Sequence, residues 1–212
     1  MDDFKQLYEA ILNGNAKISK EITQQALDKN ADPQMLVQDY MIPAMNEVGR
    51  LYEANEYFVP ELLIAARAMK ASLELIRPLL VKQGAQPAGR VVIGTVKGDL
   101  HDIGKNLVAA MLEGSGFEVI DLGVDVSPEK FTAAAVESNA SLVAMSALLT
   151  TTMGSMKSTI EALRSAGVRD KVKIMIGGAP ITQKYADAIG ADGYSSNANS
   201  AVALARKFAG IQ

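Results

Sequence analysis

Five short runs of apolar, largely β-branched residues recur in the second part of the chain, and no other feature of the sequence constrains its fold as strongly. They are RVVIGTV, FEVIDLG, SLVAMSA, KVKIMIGG and DGYSS, and each is followed by a helical pattern of roughly a dozen residues. A run that is apolar throughout, rather than alternating with polar residues, indicates a strand buried on both faces of a parallel sheet. Residues 90–212 therefore predict a doubly wound, five-stranded parallel sheet.

The first part of the chain follows a different pattern, in which apolar residues recur at intervals of three and four, as at Leu7, Ile11 and Leu12. Two early helices are separated by turns at NGNAK and KNADPQ. A third helix is predicted over residues 33–53, and a fourth from residue 59 or 60 to about 81. Four helices with short connections predict an antiparallel four-helix bundle.

The composition changes between these two parts, at KQGAQPAGR, where Gly, Pro and Gln replace the apolar pattern. We therefore predict a helical bundle domain over residues 1–82, a linker over residues 83–89 and an α/β domain over residues 90–212. The expected fold class is α plus α/β.

Charge and composition exclude several classes of function. The net charge is −3 and no run of Lys or Arg occurs, so we expect no nucleic-acid partner. No apolar stretch approaches the roughly 18 to 20 residues of a membrane span, and the acidic amino terminus differs from a signal peptide, so we expect a cytoplasmic protein without a membrane partner. Because the chain has no cysteine, metal or redox chemistry is expected to depend on a bound cofactor.

The only histidine of the chain, His101, lies in the stretch GTVKGDLHDIGKN, directly after the first predicted strand. In open α/β sheets, ligands bind at the carboxyl ends of the strands. Asp99 can accept the second ring N–H of this imidazole, and Gly98 and Gly104 allow the backbone to bend closely around a ligand. A single imidazole is a poor zinc site, which needs three or four ligands, but it suffices for a metal already held by a macrocycle. A loop histidine without a role is the alternative.

Two phosphate-related functions fit the same loop less well. A receiver domain would carry a phosphorylated aspartate at the end of the third strand, where this chain has Met145 and Ser146. A phosphate-binding P-loop requires a different glycine spacing and Ser or Thr after the lysine, whereas Asn106 follows Lys105.

Three separated motifs resemble the signature of cobalamin-binding Rossmann-like, flavodoxin-like domains, which is Asp-x-His-x-x-Gly, then Ser-x-Leu, then Gly-Gly. They are DLHDIG at residues 99–104, SALLT from Ser146, and GGA from Gly177. The resemblance implies that His101 is the lower axial ligand to cobalt, displacing the dimethylbenzimidazole base, with Asp99 as its hydrogen-bonded partner. Thr152 stands where methionine synthase has a serine in a proton relay with these two residues.

The resemblance also implies a larger set of residues that contact the cofactor. Ser146, Leu148, Gly177 and Gly178 would line a slot for the detached nucleotide tail. The complete set in this domain is Gly98, Asp99, Leu100, His101, Asp102, Ile103, Gly104, Ser146, Leu148, Thr150, Gly177, Gly178, Ala179 and Ala198.

The bundle resembles a known partner of such a domain. Residues 41–69 are similar to the helical cap of methionine synthase and of the corrinoid proteins of anaerobic methyltransferase systems. In that case Tyr52, Val59 and Leu62 occupy the positions of the apolar residues that cover the methyl-bearing face of the corrin. Without this resemblance, the same three residues are compatible with the core of a helical bundle.

The function that this resemblance implies is that of a corrinoid methyl carrier cycling between Co(I) and methyl-Co(III), not catalytic alone. The 212 residues leave no room for a substrate-binding barrel of about 250 residues. The expected partners are a substrate:corrinoid methyltransferase, a second methyltransferase with tetrahydrofolate or a thiol as acceptor, and a reductive activase. The methyl donor stays open among methylamines, quaternary amines, methanol and aryl methyl ethers. A cobalamin-dependent sensor and the small subunit of an adenosylcobalamin mutase are the alternatives.

Overall fold

The computed structural model describes residues 4–84 and 87–211, which divide into two compact units. One unit comprises the described residues up to Pro87 together with Glu113–Gly116, and the other comprises Ala88–Leu112 and the described residues from Phe117 onward. The domain limits inferred from the sequence stay predictions, and residues 85 and 86 of the predicted linker lie outside the described residues. Within the described ranges, no helix is both long enough and apolar enough to cross a membrane.

The first unit is helical, as the sequence predicts. Its helices are α1 (Lys5–Leu12), α2 (Ala16–Asp28), α3 (Pro33–Met35), α4 (Ile42–Glu53) and α5 (Val59–Lys82). Buried apolar side chains from α1, α2, α4 and α5 form its core, among them Leu7, Ile11, Ala26, Met45, Val48, Leu62, Met69 and Ile76.

The predicted third helix is continuous from residue 33 to residue 53 but is not a regular α-helix throughout. Its central turn, Leu36–Met41, is π-helical and joins α3 to α4. Pro43 follows this turn, and proline has no N–H to donate to the carbonyl of the residue four positions earlier. A wider turn next to a proline relieves both the missing hydrogen bond and the steric conflict of its ring.

The second unit contains the five-stranded parallel sheet that the sequence predicts. Its strands are β1 (Arg90–Thr95), β2 (Glu118–Asp121), β3 (Leu142–Ser146), β4 (Lys173–Gly177) and β5 (Gly193–Ser195), all pairing in parallel in the order β2-β1-β3-β4-β5. Its helices are α6 (Ile103–Gly114), α7 (Pro128–Glu137), α8 (Gly154–Ser165), α9 (Gln183–Ile189) and α10 (Ala198–Phe208). The fourth of these helices, α9, is shorter than the predicted length.

Local signals place the ends of these helices. Ser127 caps α7 by accepting a hydrogen bond from the backbone of the first turn, and Pro128 occupies the first helical position. Thr182 caps α9, which ends at Gly190 in a left-handed conformation with φ of 77°. Asn197 begins α10 with a capping box. The loops that lead from β2, β4 and β5 into α7, α9 and α10 therefore end at defined residues.

The strand order places two loops side by side at the carboxyl edge of the sheet. β1 lies between β2 and β3, so the chain leaves β1 in one direction along the sheet and later continues from β3 in the other. The loops after β1 and β3 diverge at this switch point and leave a crevice between them. The loop after β1 contains His101, and the loop after β3 contains residues 147–153.

The loops after β3 and β4 approach each other closely at the same edge. Gly178 has a φ of 131°, and a Cβ built on it would lie 1.9 Å from the carbonyl oxygen of Ala147. Both the backbone conformation and the contact therefore require glycine.

We predict that Gly178→Ala lowers the free energy of unfolding by at least about 2 kcal/mol, because the added methyl group forces the two loops apart. The matched control is Gly154→Ala at the first residue of α8, where a Cβ would meet nothing within 4 Å. We expect this control to be neutral or more stable by up to about 1 kcal/mol. Denaturant unfolding measures both variants, and equal stabilities would contradict the inferred contact.

Candidate cofactor-binding site

His101 and Asp99 form a hydrogen-bonded pair on the loop after β1. His101 Nδ1 lies 2.7 Å from Asp99 Oδ1, and the backbone N–H of His101 donates to the same oxygen at 3.1 Å. The imidazole is 48% exposed, whereas the Asp99 side chain is fully buried. Because a carboxylate only accepts hydrogen bonds, Nδ1 carries the proton. In the neutral ring Nε2 is then the nitrogen without a proton, which is the form that binds a metal.

The loop after β3 holds the other oxygen of Asp99. Oδ2 accepts hydrogen bonds from the backbone of Leu148 at 2.8 Å, the backbone of Leu149 at 3.2 Å and the hydroxyl of Thr152 at 2.7 Å. The hydroxyl of Thr152 also lies 2.8 Å from the Leu149 carbonyl oxygen, but its one proton goes to the stronger, charged acceptor. The predicted contact between Thr152 and the His–Asp pair is therefore present in the structure.

These donors determine the charge of Asp99. Burial acts to raise the pKa of this carboxyl group, but hydrogen bonds from Thr152, His101 and Leu148 outweigh burial and hold the pKa well below its ordinary value. Asp99 is therefore a carboxylate at any physiological pH. It fixes the direction and the protonated nitrogen of the imidazole through a charge-assisted hydrogen bond.

The backbone of His101 is fixed independently of its side chain. The hydroxyl of Thr95, at the end of β1, donates to the His101 carbonyl oxygen at 2.7 Å, and Thr95 is itself fully buried. A rigid strand end therefore positions the peptide that carries the imidazole.

Four large apolar side chains stand exposed on the two loops that carry and hold the His–Asp pair and at the first residue of α6. Leu100 is 71% exposed, Ile103 79%, Leu148 42% and Leu149 43%. Isolated exposed leucines are common, but several next to one exposed imidazole indicate a binding surface. Leu100, Ile103 and Leu148 are among the residues predicted to contact the cofactor, whereas Leu149 is not, although SALLT places two leucines together.

A cleft beside α6 runs into the crevice at the switch point. It contains about 320 Å³ of space, part of which is open to solvent at its mouth. Its walls come from the carboxyl ends of β1, β3, β4 and β5 and from the first turns of α6, namely Ile93, Ala144, Met145, Ser146, Met175, Ile176, Gly177, Ser195, Gly104, Lys105 and Val108. Apart from Lys105 and two serines these side chains are apolar, so the cleft suits an apolar ring with a few polar groups.

Two of the predicted glycines line this cleft. A Cβ on Gly177 would lie 3.1 Å from the Ser195 carbonyl oxygen, so the backbone approaches closely there. A Cβ on Gly104 would meet nothing within 4 Å, so a side chain at this position would occupy open space in the cleft. Ser146 completes the predicted residues that line it.

The other predicted residues lie in several places. Gly98, Asp102 and Thr150 are exposed on the loops after β1 and β3, and Asp102 accepts a hydrogen bond from Asn106 at 3.0 Å. Gly178 and Ala179 follow β4, and Ala198 is buried at the start of α10. In the other unit, Leu62 is buried, and Tyr52 and Val59 are half-buried.

A buried lysine in the wall of the cleft was not among the predicted site residues. Lys105 is 3% exposed, and its Nζ lies 2.5 Å from Asp121 Oδ2 and 2.6 Å from Asn106 Oδ1. This ion pair joins the first turn of α6 to the end of β2. The sequence does contain a signal for this ion pair. Lys105 lies in the first turn of a predicted helix, and Asp121 ends the strand that follows it.

We predict that Asp99→Asn destabilises the fold by about 2 to 4 kcal/mol. An amide offers one accepting oxygen, so the donors on one side of residue 99 would face an NH2 group. Since the pKa of Asp99 is depressed in the folded protein, its stabilising effect is present above the ordinary pKa of about 4 and is lost as the pH falls toward the folded value.

Denaturant unfolding at pH 7 and at pH values below about 4 measures this effect, and the difference between wild type and Asp99→Asn should shrink at low pH. The control is Asp102→Asn, an exposed aspartate on the same loop, for which we expect a change within about 0.5 kcal/mol. Equal effects of the two substitutions would contradict the role assigned to Asp99.

Comparison with protein families and known proteins identifies relatives along nearly the whole chain. Residues 89–203 match the B12 binding domain family, and residues 3–77 match a second B12 binding domain family. The chain is 41% identical to corrinoid protein DSY3155 of Desulfitobacterium hafniense, over 99% of this chain and 97% of that protein. It is 44% identical to trimethylamine corrinoid protein 2 of Methanosarcina mazei, over 92% of this chain and 90% of the relative.

A solved structure supports the same assignment. The chain resembles the methanol:cobalamin methyltransferase complex MtaBC of Methanosarcina barkeri, with a TM-score of 0.85 and 31% identity over 96% of this chain and 78% of the matched chain. Two family matches, extensive identity and a shared fold agree, so the chain belongs to the family of B12-binding corrinoid proteins.

Proposed function

We propose that this protein binds a cobalamin-type corrinoid with its own nucleotide base detached and His101 Nε2 as the lower axial ligand to cobalt, and that it carries methyl groups between two methyltransferases. The observation that carries this proposal is the half-exposed imidazole whose Nδ1 is fixed by a buried carboxylate, with exposed leucine and isoleucine side chains beside it.

The donor set fits a cobalt that is already enclosed by a macrocycle. A corrin supplies the equatorial ligands, so the protein needs to add one axial nitrogen. His101 is the only histidine of the chain, and its pairing with Asp99 leaves Nε2 available. Leu100, Ile103 and Leu148 supply apolar surface to a broad, flat group lying over the imidazole.

The cleft beside α6 fits the detached nucleotide tail. Its apolar walls suit a benzimidazole-type ring, and the hydroxyls of Ser146 and Ser195 and the ammonium of Lys105 are the polar groups among its lining residues. Because Gly104 carries no side chain, it leaves space in the wall formed by α6, whereas Gly177 allows the backbone of β4 to approach Ser195 closely. We assign Gly98, Asp102, Thr150, Gly178, Ala179 and Ala198 to the surroundings of the cofactor as part of the same proposal.

When bound, the corrinoid supplies a cobalt that accepts and donates a methyl group as its oxidation state changes between +1 and +3. The protein's residues control the axial nitrogen. Asp99 holds the proton on Nδ1 and, as a carboxylate, increases the electron density of the imidazole at Nε2. Thr152 donates to the same carboxylate, so a change in its hydrogen bond alters how strongly Asp99 polarises the ring.

The bundle completes the proposal. Tyr52, Val59 and Leu62 are assigned as the apolar residues that cover the methyl-bearing face of the corrin, within a cap domain of residues 1–82 joined by a linker of residues 83–89 to the cobalamin-binding domain of residues 90–212. An apolar cover excludes water from a reactive metal and must open when a methyl donor or acceptor approaches.

The partners follow from the relatives. One relative is named a trimethylamine corrinoid protein, and the structural relative is a methanol:cobalamin methyltransferase complex. We therefore propose a substrate:corrinoid methyltransferase, with a methylamine or methanol as donor, as the first partner, and a methyltransferase that uses tetrahydrofolate or a thiol as the second. A reductive activase would restore the +1 state of cobalt. The cytoplasmic location stays a prediction.

Axial ligation is tested by the visible absorption spectrum of the protein loaded with hydroxocobalamin. We expect wild type to show an imidazole-ligated spectrum, and His101→Ala to retain the corrinoid through the cleft but lose that spectrum. Added imidazole should restore the spectrum in His101→Ala, which serves as the control for an intact corrinoid site. An unchanged spectrum in the variant would refute the axial role of His101.

Tail binding is tested by filling the cleft. Gly104→Val places a branched side chain in open space and should weaken corrinoid binding by at least about tenfold, because the tail and the side chain compete for the same volume. Gly154→Val is the matched control, since Gly154 is also near the start of a helix and its Cβ would meet nothing within 4 Å. Equilibrium dialysis with cobalamin measures both, and equal affinities would argue against the cleft as the tail site.

Methyl transfer is tested by supplying the loaded, reduced protein with a methylamine-specific or methanol-specific methyltransferase and its substrate. Formation of methylated corrinoid on this chain is expected. Binding of adenosylcobalamin without methylation by any of these enzymes would favour a mutase subunit instead.

A further inference from the structure

The loop after β2 forms a reciprocal hydrogen-bonded contact with the loop that carries His101. Asp125 Oδ1 accepts a hydrogen bond from the backbone N–H of Gly98 at 2.7 Å, and the backbone N–H of Asp125 donates to the Asp99 carbonyl oxygen at 3.0 Å. Next to this contact, Val96 and Val126 form an isolated parallel bridge that continues the pairing of β1 and β2 beyond their ends.

The backbone of this loop turns sharply in order to make the contact. Asp125 has a φ of 52° and Gly123 a φ of 83°, so two of three consecutive residues are left-handed. Left-handed conformations are uncommon for residues other than glycine, and aspartate is among those that tolerate them best. A residue is held in such a conformation where its surroundings determine it, and sites of this kind cluster near functional groups.

With the contact to Asp125, the peptide groups on both sides of Asp99 are hydrogen-bonded. The Asp99 N–H donates to the Val96 carbonyl at 3.1 Å, and its carbonyl accepts from Asp125. The preceding peptide N–H, that of Gly98, is held by the Asp125 carboxylate. The loop after β3 holds Oδ2 of Asp99, whereas these bonds hold the peptide groups next to its Cα.

We propose that Asp125 is a positioning residue for the cofactor site. By holding the Gly98 N–H and the Asp99 carbonyl together, it places Asp99 so that His101 donates from Nδ1 and the neutral ring turns Nε2 away from Asp99. The link from this geometry to cobalt rests on the proposed function, but the effect on the imidazole belongs to the protein alone.

Two substitutions at this position separate the hydrogen bond from other effects. Asp125→Asn keeps an oxygen that can accept from Gly98 and a residue type that tolerates positive φ, while it removes the charge. Asp125→Gly adopts the same φ with less strain but removes the acceptor. If the hydrogen bond to Gly98 positions Asp99, His101 keeps its proton on Nδ1 in the asparagine variant and loses this preference in the glycine variant.

The experiment uses the cofactor-free protein. Because the chain has one histidine, the two ring nitrogens of His101 can be assigned without ambiguity in ¹⁵N NMR spectra, and their shifts report which nitrogen carries the proton. We expect the Nδ1–H tautomer alone in wild type and in Asp125→Asn, and a measurable Nε2–H population in Asp125→Gly. Amide hydrogen exchange at Gly98 should accelerate about tenfold in the glycine variant.

A control comes from the opposite edge of the sheet. Asp192 precedes β5 and accepts a hydrogen bond from the backbone of Ile174 at 2.8 Å, so Asp192→Gly also removes a carboxylate that accepts from a backbone N–H, together with its ion pairs to Arg169 and Lys173. We expect Asp192→Gly to lower stability while His101 keeps the wild-type tautomer. Loss of stability in Asp125→Gly with an unchanged tautomer would show a purely structural role and overturn the proposal.

The corrinoid-loaded protein supplies a second measurement. Asp125→Gly should show a reduced fraction of imidazole-ligated corrinoid, and Asp125→Asn should match wild type. A wild-type fraction in Asp125→Gly contradicts the proposal for Asp125. The proposed function fails on a different result, an unchanged spectrum in His101→Ala, so the two hypotheses are tested separately.

Discussion

The hydrogen bond between the buried carboxylate of Asp99 and Nδ1 of His101 is the interaction on which the site depends. A carboxylate taken out of water is strongly destabilised unless donors surround it. Asp99 meets this requirement with five donors, two of them on His101 and three on the loop after β3. The same bonds that stabilise the charge also fix the ring, so the stability of the loop and the orientation of the imidazole have one cause.

This arrangement requires the sheet order that the structure has. Leu148 and Thr152 lie 49 and 53 residues beyond Asp99 in the sequence, and they reach it because β3 pairs directly with β1. The short loop after β2 approaches from the other side because β2 is the second neighbour of β1. Three loops from adjacent parallel strands therefore meet at one aspartate, which places the histidine at the rim of the crevice and not inside the sheet.

Sequence reasoning predicted the parts of this structure that depend on local pattern. The five strands follow from apolar runs, and the contact between His101 and Asp99 follows from their spacing of two residues. Local patterns do not predict contacts between distant segments. The roles of Leu149 and Lys105 depend on such contacts, because they donate to Asp99 and to Asp121. The π-helical turn was missed because Pro43 is compatible with a helix start as well as with a distorted continuous helix.

The site also departs from what stability alone would favour. Leu100 and Ile103 expose most of their apolar side chains, while Gly104 leaves a wall of the cleft unfilled within the first turn of α6, where alanine would favour the helix. Leu100, Ile103 and Gly104 each reduce the apolar surface that the folded chain buries. All three lie within three residues of His101 in the sequence. A bound group with a broad apolar face and an apolar tail would bury these surfaces. The unburied surface and the fixed imidazole are thus two aspects of one binding site, since the fold supplies a rigid axial nitrogen and leaves to the ligand the contacts that the protein lacks.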